Sequence, residues 1–479
     1  MAEGNADPPE AEVNGDGFSP SPEIFRAYDI RGIVGETLTA DAVYGIARAF
    51  ATRALGVGQR RVVVGGDGRR STVTLRRELA RGLRGGGVDV VDIGVVPTPL
   101  LYYATHVLDT GTGVMITGSH NPSEYNGLKM VLDRRPLSGD AIQGLRTLVE
   151  TGRFSRGDGG LTCLDLIDRY VADVVTDTPI DRSLKVVIDC GNGVAGLVAP
   201  RLLATMGCEV ISLYAEVDGD FPNHHPDPAV ASNMADLIAA VDRTGADLGL
   251  AFDGDADRLG VVTDRGDIVW PDRLMMLLCR SVVSADPGAT VVFDVKCSRH
   301  LSAVVRDLGG SPVMCKTGHS HIKAKIREAD AAFGGEFSGH ICFADRWYGF
   351  DDALYCAARL VQVLASEGRP ASGLFADFPD ALATPEIKVP TSEQRKFDVI
   401  DEFAENAVFD TAAATVTAID GIRVDYPDGW GLVRASNTSP MLSLRFEADT
   451  QQALDRIQTV FDAALVEIDP ALSIRNRHP

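Results

Sequence analysis

The chain has 479 residues, 45% of them hydrophobic and 24% charged, a globular balance that at roughly 100–200 residues per domain predicts three or four domains. Its formal net charge of −21 argues against nucleic acid and anionic membranes as partners. No run reaches the roughly 20 apolar residues of a membrane helix, so a soluble protein is expected; a cytoplasmic location, in keeping with its unpaired cysteines, and a monomeric state are further expectations.

Residues 1–22 have no basic start and no apolar core. Their Pro, Gly and acidic content predicts a disordered acidic tail rather than a secretory signal. FRAYDIRG (25–32) follows and crowds Arg26, Tyr28, Asp29 and Arg31 into a few residues. Three later segments share one form: VVVGGDGRRS (62–71), VVIDCGNG (186–193) and VVFDVKCS (291–298). Each is an apolar run that carries an acidic residue into a loop. Helical spacing comes next, as in VAPRLLATM (198–206) and LSAVVRDL (301–308), and then a second apolar run at 90–96, 209–214 or 311–316. Short apolar strands alternating with helices predict α/β units with mixed sheets, here three diverged repeats.

Between the first two units, TGSHNPSEYNG (117–127) presents Ser119 and His120 on a loop directly after the apolar GVMI. A hydrolase elbow would be G-x-S-x-G, but Asn121 and Pro122 break that pattern, and a sequence neighbour such as His120 is poorly placed as base for Ser119. Ser119 as a phosphoryl carrier is the better reading, with Lys129 neutralising charge on the group in transfer. Further on, ADLGLAFDGDADRLGVVTD (246–264) sets Asp253, Asp255 and Asp257 at alternating positions. Three carboxylates about a glycine turn suit a hard cation such as Mg²⁺. An EF-hand is excluded because Arg258 stands where that loop needs glycine. Arg258 itself suits a phosphate or carboxylate.

KTGHSHIK (316–323) places His319 on a loop, where a His319/His321 metal pair is disfavoured by its two-residue spacing. GGEFSGH (334–340) offers Glu336, Ser338 and His340, acceptors and donors suited to sugar hydroxyls. After a linker near 381–394, the segment 420–449 is expected as strand, turn, strand, loop, strand, and 450–468 as a helix, a small α+β domain. Within it RASNTSP (434–440) collects Arg434, Ser436, Asn437 and Thr438, a phosphate cradle in chemical terms. The eight cysteines form no Cys-x-x-Cys pair and are expected as buried reduced thiols. The expected domains are 23–163 with the serine loop, 164–266 with the metal loop, 267–379 with the sugar loop and 380–479 with the phosphate loop.

TGSHNPSEYNGLK, DGDADR, GGEFSGH and RASNTSP, in that order and supported by FRAYDIRG, KTGHSHIK and RWYGFDD (346–352), resemble the four active-site loops of the α-D-phosphohexomutases. The likeness covers roughly residues 24–470 and is most marked for the bacterial phosphomannomutase/phosphoglucomutase branch. It implies four domains about a central cleft, the first three of one α/β fold. It implies Ser119 as the phosphoserine, which with Asp253, Asp255 and Asp257 holds Mg²⁺. Arg31, Lys129, His319 and His340 are implied in catalysis. Tyr28, Arg258, Lys296, His319, Glu336, Ser338, His340, Arg434, Ser436, Asn437 and Thr438 are implied in binding substrate. The implied reaction interconverts hexose 1-phosphate and hexose 6-phosphate through a 1,6-bisphosphate, with glucose 1,6-bisphosphate as activator. Phe337 stands where phosphoglucosamine mutases carry Gln and the dual enzymes Met, which favours mannose and glucose over the alternative, a phosphoglucosamine mutase.

Overall fold

The structure, a computed structural model, describes residues 20–409, 414–437 and 439–475. Thr438 of the phosphate loop and residues 1–19 of the acidic tail lie outside the described residues. Four sheets follow one another along the chain. In the first, Arg61–Gly66 lies between Asp89–Val95 and Gly113–Ile116, all parallel, and Tyr125–Leu132 turns back antiparallel to Gly113–Ile116. The second sheet repeats this order with Glu209–Leu213, Lys185–Asp189, Leu248–Phe252 and the antiparallel Leu259–Thr263. A third repetition uses Ser311–Cys315, Thr290–Asp294, Phe333–Gly335 and Ile341–Phe343.

The expected repeats are therefore one four-strand pattern used three times. Its central strands are buried on both faces, as parallel strands covered by helices must be: Val62, Val63 and Val64, Val186, Val187 and Ile188, and Val291 and Val292 are 0% exposed. That is why they appear in the sequence as unbroken apolar runs. The hairpin between the third and fourth strand of each pattern holds a chemical loop. These are 117–124 with Ser119, 253–258 with the three aspartates, and 336–340 with Glu336 and His340.

The strand-end acids have a role too. Asp67 accepts from the Gly118 amide at 3.0 Å, and Asp294 accepts from the Phe337 amide at 3.1 Å, the equivalent position two residues past the third strand. Both carboxylates thus hold a chemical loop by its backbone.

The last sheet is antiparallel, Met441–Ala448 and Gly429–Ala435 at its centre, with Gln451–Ile468 packed against it behind a Thr450 cap. It has its own apolar core around Val389, Phe403, Val424, Leu444 and Phe461. Its junction with the third unit combines a small apolar contact, Val295 against Trp430 and Leu432, with buried polar ones. Arg423, 1% exposed, stacks 3.9 Å from the Trp430 ring and donates to the carbonyls of Val295 and Cys297 at 2.6 and 2.8 Å. No helix among the described residues is long and apolar enough to cross a membrane. All eight cysteines are free, and six are buried; Cys163 is exposed on an edge strand, contrary to the expectation of burial, and Cys208 is half-buried.

Candidate active site

The three hairpin loops and the loop of the last sheet converge on one cavity of about 740 Å³. Tyr28, Arg31, Ser119, Lys129, Arg258, Lys296, His319, Glu336, Ser338, His340, Arg434, Ser436 and Asn437 all line it. The three aspartates sit directly behind Ser119, each 0% exposed.

Ser119 adopts a left-handed backbone with φ of 51°, a conformation that costs a non-glycine residue and persists only where neighbours enforce it. Arg69 is the main enforcer. Fully buried, it donates to the carbonyls of Ser119 at 2.8 Å, Asn121 at 2.6 Å, Pro122 at 2.6 Å and Tyr125 at 3.1 Å, and Asp67 holds its Nε at 3.1 Å. The second unit closes from behind, where Gly254 leaves no room for a side chain: a Cβ there would lie 2.4 Å from the Ser119 carbonyl oxygen. The outcome is a serine hydroxyl that donates to Asp253 Oδ2 at 2.9 Å.

His120, expected to be poorly placed as a base for that serine, does reach it, with Nδ1 3.1 Å from Oγ. The left-handed turn brings the ring back. Burial and the nearby Arg258 and Arg31 hold its protonation well below the usual histidine range, so it meets Ser119 as a neutral ring.

Behind the serine the carboxylates are electrostatically frustrated. Burial, then Asp255 and Asp257, push the Asp253 carboxyl well up. Asp255 is also penalised by burial, but Lys129 and the hydroxyls of Thr98 and Ser119 outweigh that and hold it down. Lys129 Nζ donates to Asp255 at 2.7 Å and to Asp257; burial disfavours its charge, yet these two carboxylates raise its affinity for the proton. Thr98 donates to the same Asp255 oxygen at 2.6 Å. Asp255 Oδ1 remains buried with no hydrogen-bond partner. Asp257 Oδ1 is orphaned in the same way, and three carboxylates that offer oxygens within 4.8 Å of one another, two of them with an unpaired oxygen, fit a divalent hard cation.

The third unit adds a histidine pair. His319 begins the helix His319–Glu328 rather than lying on a loop, because Gly318 takes a φ of 130° against the Tyr28 ring and the helix starts immediately after it. His319 and His340 stack at 5.1 Å, and the Nδ1 of each lies 3.1 Å from one Asp351 oxygen. His340 Nε2 accepts from Arg258 Nε at 3.1 Å, and residues 258 and 340 form a backbone bridge between the second and third units. Glu336 accepts from the Gly318 amide at 2.7 Å and from Ser338; burial opposes its charge, but His340 and Lys296 hold the carboxyl down at about 2. Phe337 stacks on Trp270 at 6.3 Å and lies 3.5 Å under the Arg445 guanidinium.

From the last domain, Asp420 grips Arg434 Nε at 3.0 Å and receives the Thr317 amide at 3.0 Å, while Asn437 donates to the Tyr28 hydroxyl. Arg26 and Lys296 differ in placement: Lys296 lines the cavity with Glu386 4.0 Å away, whereas Arg26 is not among the lining residues. Arg69, Thr98 and Asp351 escaped the sequence reading as functional supports. Arg69 and Asp351 stand inside quoted motifs, but their partners are remote in the chain.

The chain belongs to the phosphoglucomutase/phosphomannomutase family of α-D-phosphohexomutases. Its alpha/beta/alpha domains I, II and III match residues 22–156, 168–266 and 270–382, and its C-terminal domain matches 386–464. Among relatives, the phosphomannomutase/phosphoglucomutase of Pseudomonas aeruginosa is 51% identical over 451 residues, covering 94% of this chain and 97% of its own. A phosphoglucomutase of Neisseria meningitidis is 48% identical over 453 residues, 94% and 98% of the two chains. A crystal structure of a phosphoglucomutase/phosphomannomutase family protein from Burkholderia thailandensis superposes with a TM-score of 0.90 at 48% identity, covering 95% of this chain and 99% of that one.

Proposed function

We propose that the protein moves a phosphoryl group between the C1 and C6 oxygens of mannose and glucose phosphates, with Ser119 as its carrier. The single observation that carries the reading is the placement of the Ser119 hydroxyl, 2.9 Å from Asp253, in the same cavity that Arg434, Ser436 and Asn437 line. A cavity that joins a phosphoryl donor and a phosphate cradle suits a sugar phosphorylated at either end.

Starting from phosphorylated Ser119, the free hydroxyl of a hexose 1-phosphate attacks phosphorus, the Ser119 P–O bond breaks, and a 1,6-bisphosphate results. The intermediate turns over, its other phosphoryl returns to Ser119, and hexose 6-phosphate leaves. His340 and His319, which both line the cavity, carry the hydroxyl proton. Lys129 and Arg258 bring positive charge to the phosphoryl group in transfer. Arg434 and its neighbours hold the phosphate that is not reacting, and Glu336 and Ser338 meet the sugar hydroxyls. Asp253, Asp255, Asp257 and Ser119 would hold Mg²⁺, which when bound supplies a Lewis acid at the phosphoryl oxygens. Glucose 1,6-bisphosphate serves as the activator that phosphorylates Ser119.

Initial rates on mannose 1-phosphate, glucose 1-phosphate and glucosamine 1-phosphate, with Mg²⁺ and trace glucose 1,6-bisphosphate, test the proposal. Comparable rates on the first two and little on the third are expected. Dominance of the third substrate would establish the alternative, a phosphoglucosamine mutase. A probable enzyme of that kind from Methanopyrus kandleri is 36% identical over 455 residues, well below the relatives above. Ser119→Ala should abolish turnover; near-normal rates with bisphosphate supplied would remove Ser119 as carrier.

A further inference from the structure

The last domain turns one face of its sheet to the cavity. Along the strand Ile387–Pro390, Ile387 and Val389 enter the apolar core of that domain, which sends Lys388 to the opposite face. There Lys388 is exposed and lines the cavity. In register, Lys388 stands opposite Ser443, and Ser443 stands opposite Arg434 on the next strand. Residues directly opposite one another share a face, so Lys388, Ser443 and Arg434 form one row, and all three line the cavity. We propose that Lys388 is a further substrate-binding residue, a second cation that grips the phosphate not in transfer together with Arg434. The inference rests on the reading of Arg434 and its neighbours as the phosphate cradle.

Charge singles Lys388 out. Arg31, Lys129, Arg258, Lys296, Arg434 and Arg445 also line the cavity, and each has a carboxylate oxygen within 4.0 Å. A cation so paired brings little net charge to an incoming phosphate. Lys388 makes no hydrogen bond and no ion pair with any of the described residues. Glu386, two residues earlier on the same face, is already engaged: Ser443 donates to it and Lys296 lies 4.0 Å away. Its carboxyl is held below the usual range by Lys296 first, against burial, and then by Ser443, Arg434 and Lys388. The fields of both cations of the row therefore overlap at this point of the cavity.

Unpaired lysines are ordinary on open surface, where water screens them. This one stands in a cavity, in the row that holds Arg434, on a chain whose net charge is −21. Neighbouring Cβ atoms in such a row are about 4.5–5.5 Å apart, so two long cationic side chains rise on either side of a short serine. That notch suits a phosphate. The guanidinium supplies a fork, and the ammonium supplies a point charge on a flexible stem that can follow the group as the sugar presents either end.

The test is titration calorimetry of glucose 1,6-bisphosphate into full-length Ser119→Ala protein, so that binding is read without turnover. Lys388→Met should weaken binding by about tenfold, the loss of one charge-assisted contact. Lys388→Arg keeps the charge and should stay within about threefold of the parent. At about 0.5 M salt the gap between the parent and Lys388→Met should narrow, because an exposed cation is screened. With Ser119 intact, Lys388→Met should raise KM for the hexose phosphates about tenfold and leave kcat within about twofold. Arg434→Met is titrated beside them. Binding within about twofold of the parent in Lys388→Met, with Arg434→Met weakened, overturns this inference and leaves the cradle standing. Binding unchanged in both variants overturns the cradle as well.

Discussion

Arg69→Met offers the sharpest probe of how the serine is presented. The substitution keeps a long side chain in a buried slot but removes the guanidinium that binds four carbonyls of the loop. Asp67 would not be stranded, because the Gly118 amide at 3.0 Å and the Thr72 hydroxyl at 2.6 Å still donate to it. The loss is therefore concentrated in the loop. Net contributions of about 0.5–1.5 kcal/mol per bond, with water able to replace those at the loop's outer carbonyls, leave roughly 2–4 kcal/mol. Expressed as misplacement of Ser119, about 2.7 kcal/mol corresponds to a 100-fold fall in kcat. A coupled assay that oxidises the glucose 6-phosphate formed should show that fall with KM changed by less than about threefold, since Arg69 bonds only to residues of the first unit and the proposed phosphate cradle belongs to the last. Arg69→Lys, with one point of contact instead of a fork, should recover only part of it. If the Met variant folds normally and keeps more than about a third of the wild-type kcat, the loop does not depend on Arg69 and the reasoning is wrong.

Other expectations follow from the same geometry. A chelator should abolish activity and Mg²⁺ restore it, while Asp255→Asn should raise the half-saturating Mg²⁺ concentration by about tenfold or more. Arg423→Ala, which loses two hydrogen bonds to carbonyls and a stack on Trp430, should speed proteolysis of the segment 376–386 by about tenfold as the last domain undocks. Asp352, 1% exposed, is pushed up by burial to about 6. An acid raised in the folded state favours folding below its unfolded value near 3.8, and that contribution disappears as pH rises through about 6, amounting to about 3 kcal/mol. The stability of the wild type relative to Asp352→Asn, by thermal melts between pH 4.5 and 7.5, should accordingly fall as pH rises; a constant difference would contradict the burial argument.

The sequence disclosed most where chemistry and periodicity coincide. Val62, Val186 and Val291 begin runs that were legible as strands because nothing polar interrupts a strand covered on both faces. The serine, metal, sugar and phosphate loops were legible because each clusters its functional groups within a few residues. What stayed hidden depends on distance along the chain. Arg69 meets the Ser119 carbonyl across 50 residues and Thr98 meets Asp255 across 157, separations that no local pattern encodes. Asp351 is one of two adjacent acids, and only the fold shows that it faces the histidines while Asp352 caps a helix. The two-residue strand Leu382–Ala383 and the alternating Ile387–Pro390 were hidden for another reason: the first is too short to show a period and the second contains proline. In the same way the glycine before His319 suggested a loop where the structure starts a helix.

The threefold hairpin also bears on how such an enzyme can change. On the proposed function, each copy of the pattern contributes one task through one short connection: nucleophile, cation, sugar. The strands that anchor each connection are separate from the strands that anchor the others, and only the bridge between residues 258 and 340 ties the third connection to the second, so an edit to residues 336–339 that spares it leaves the strands behind Ser119 and Asp253 in place. Ancestral duplication of a single unit would thus yield an active site whose substrate range evolves largely through one loop.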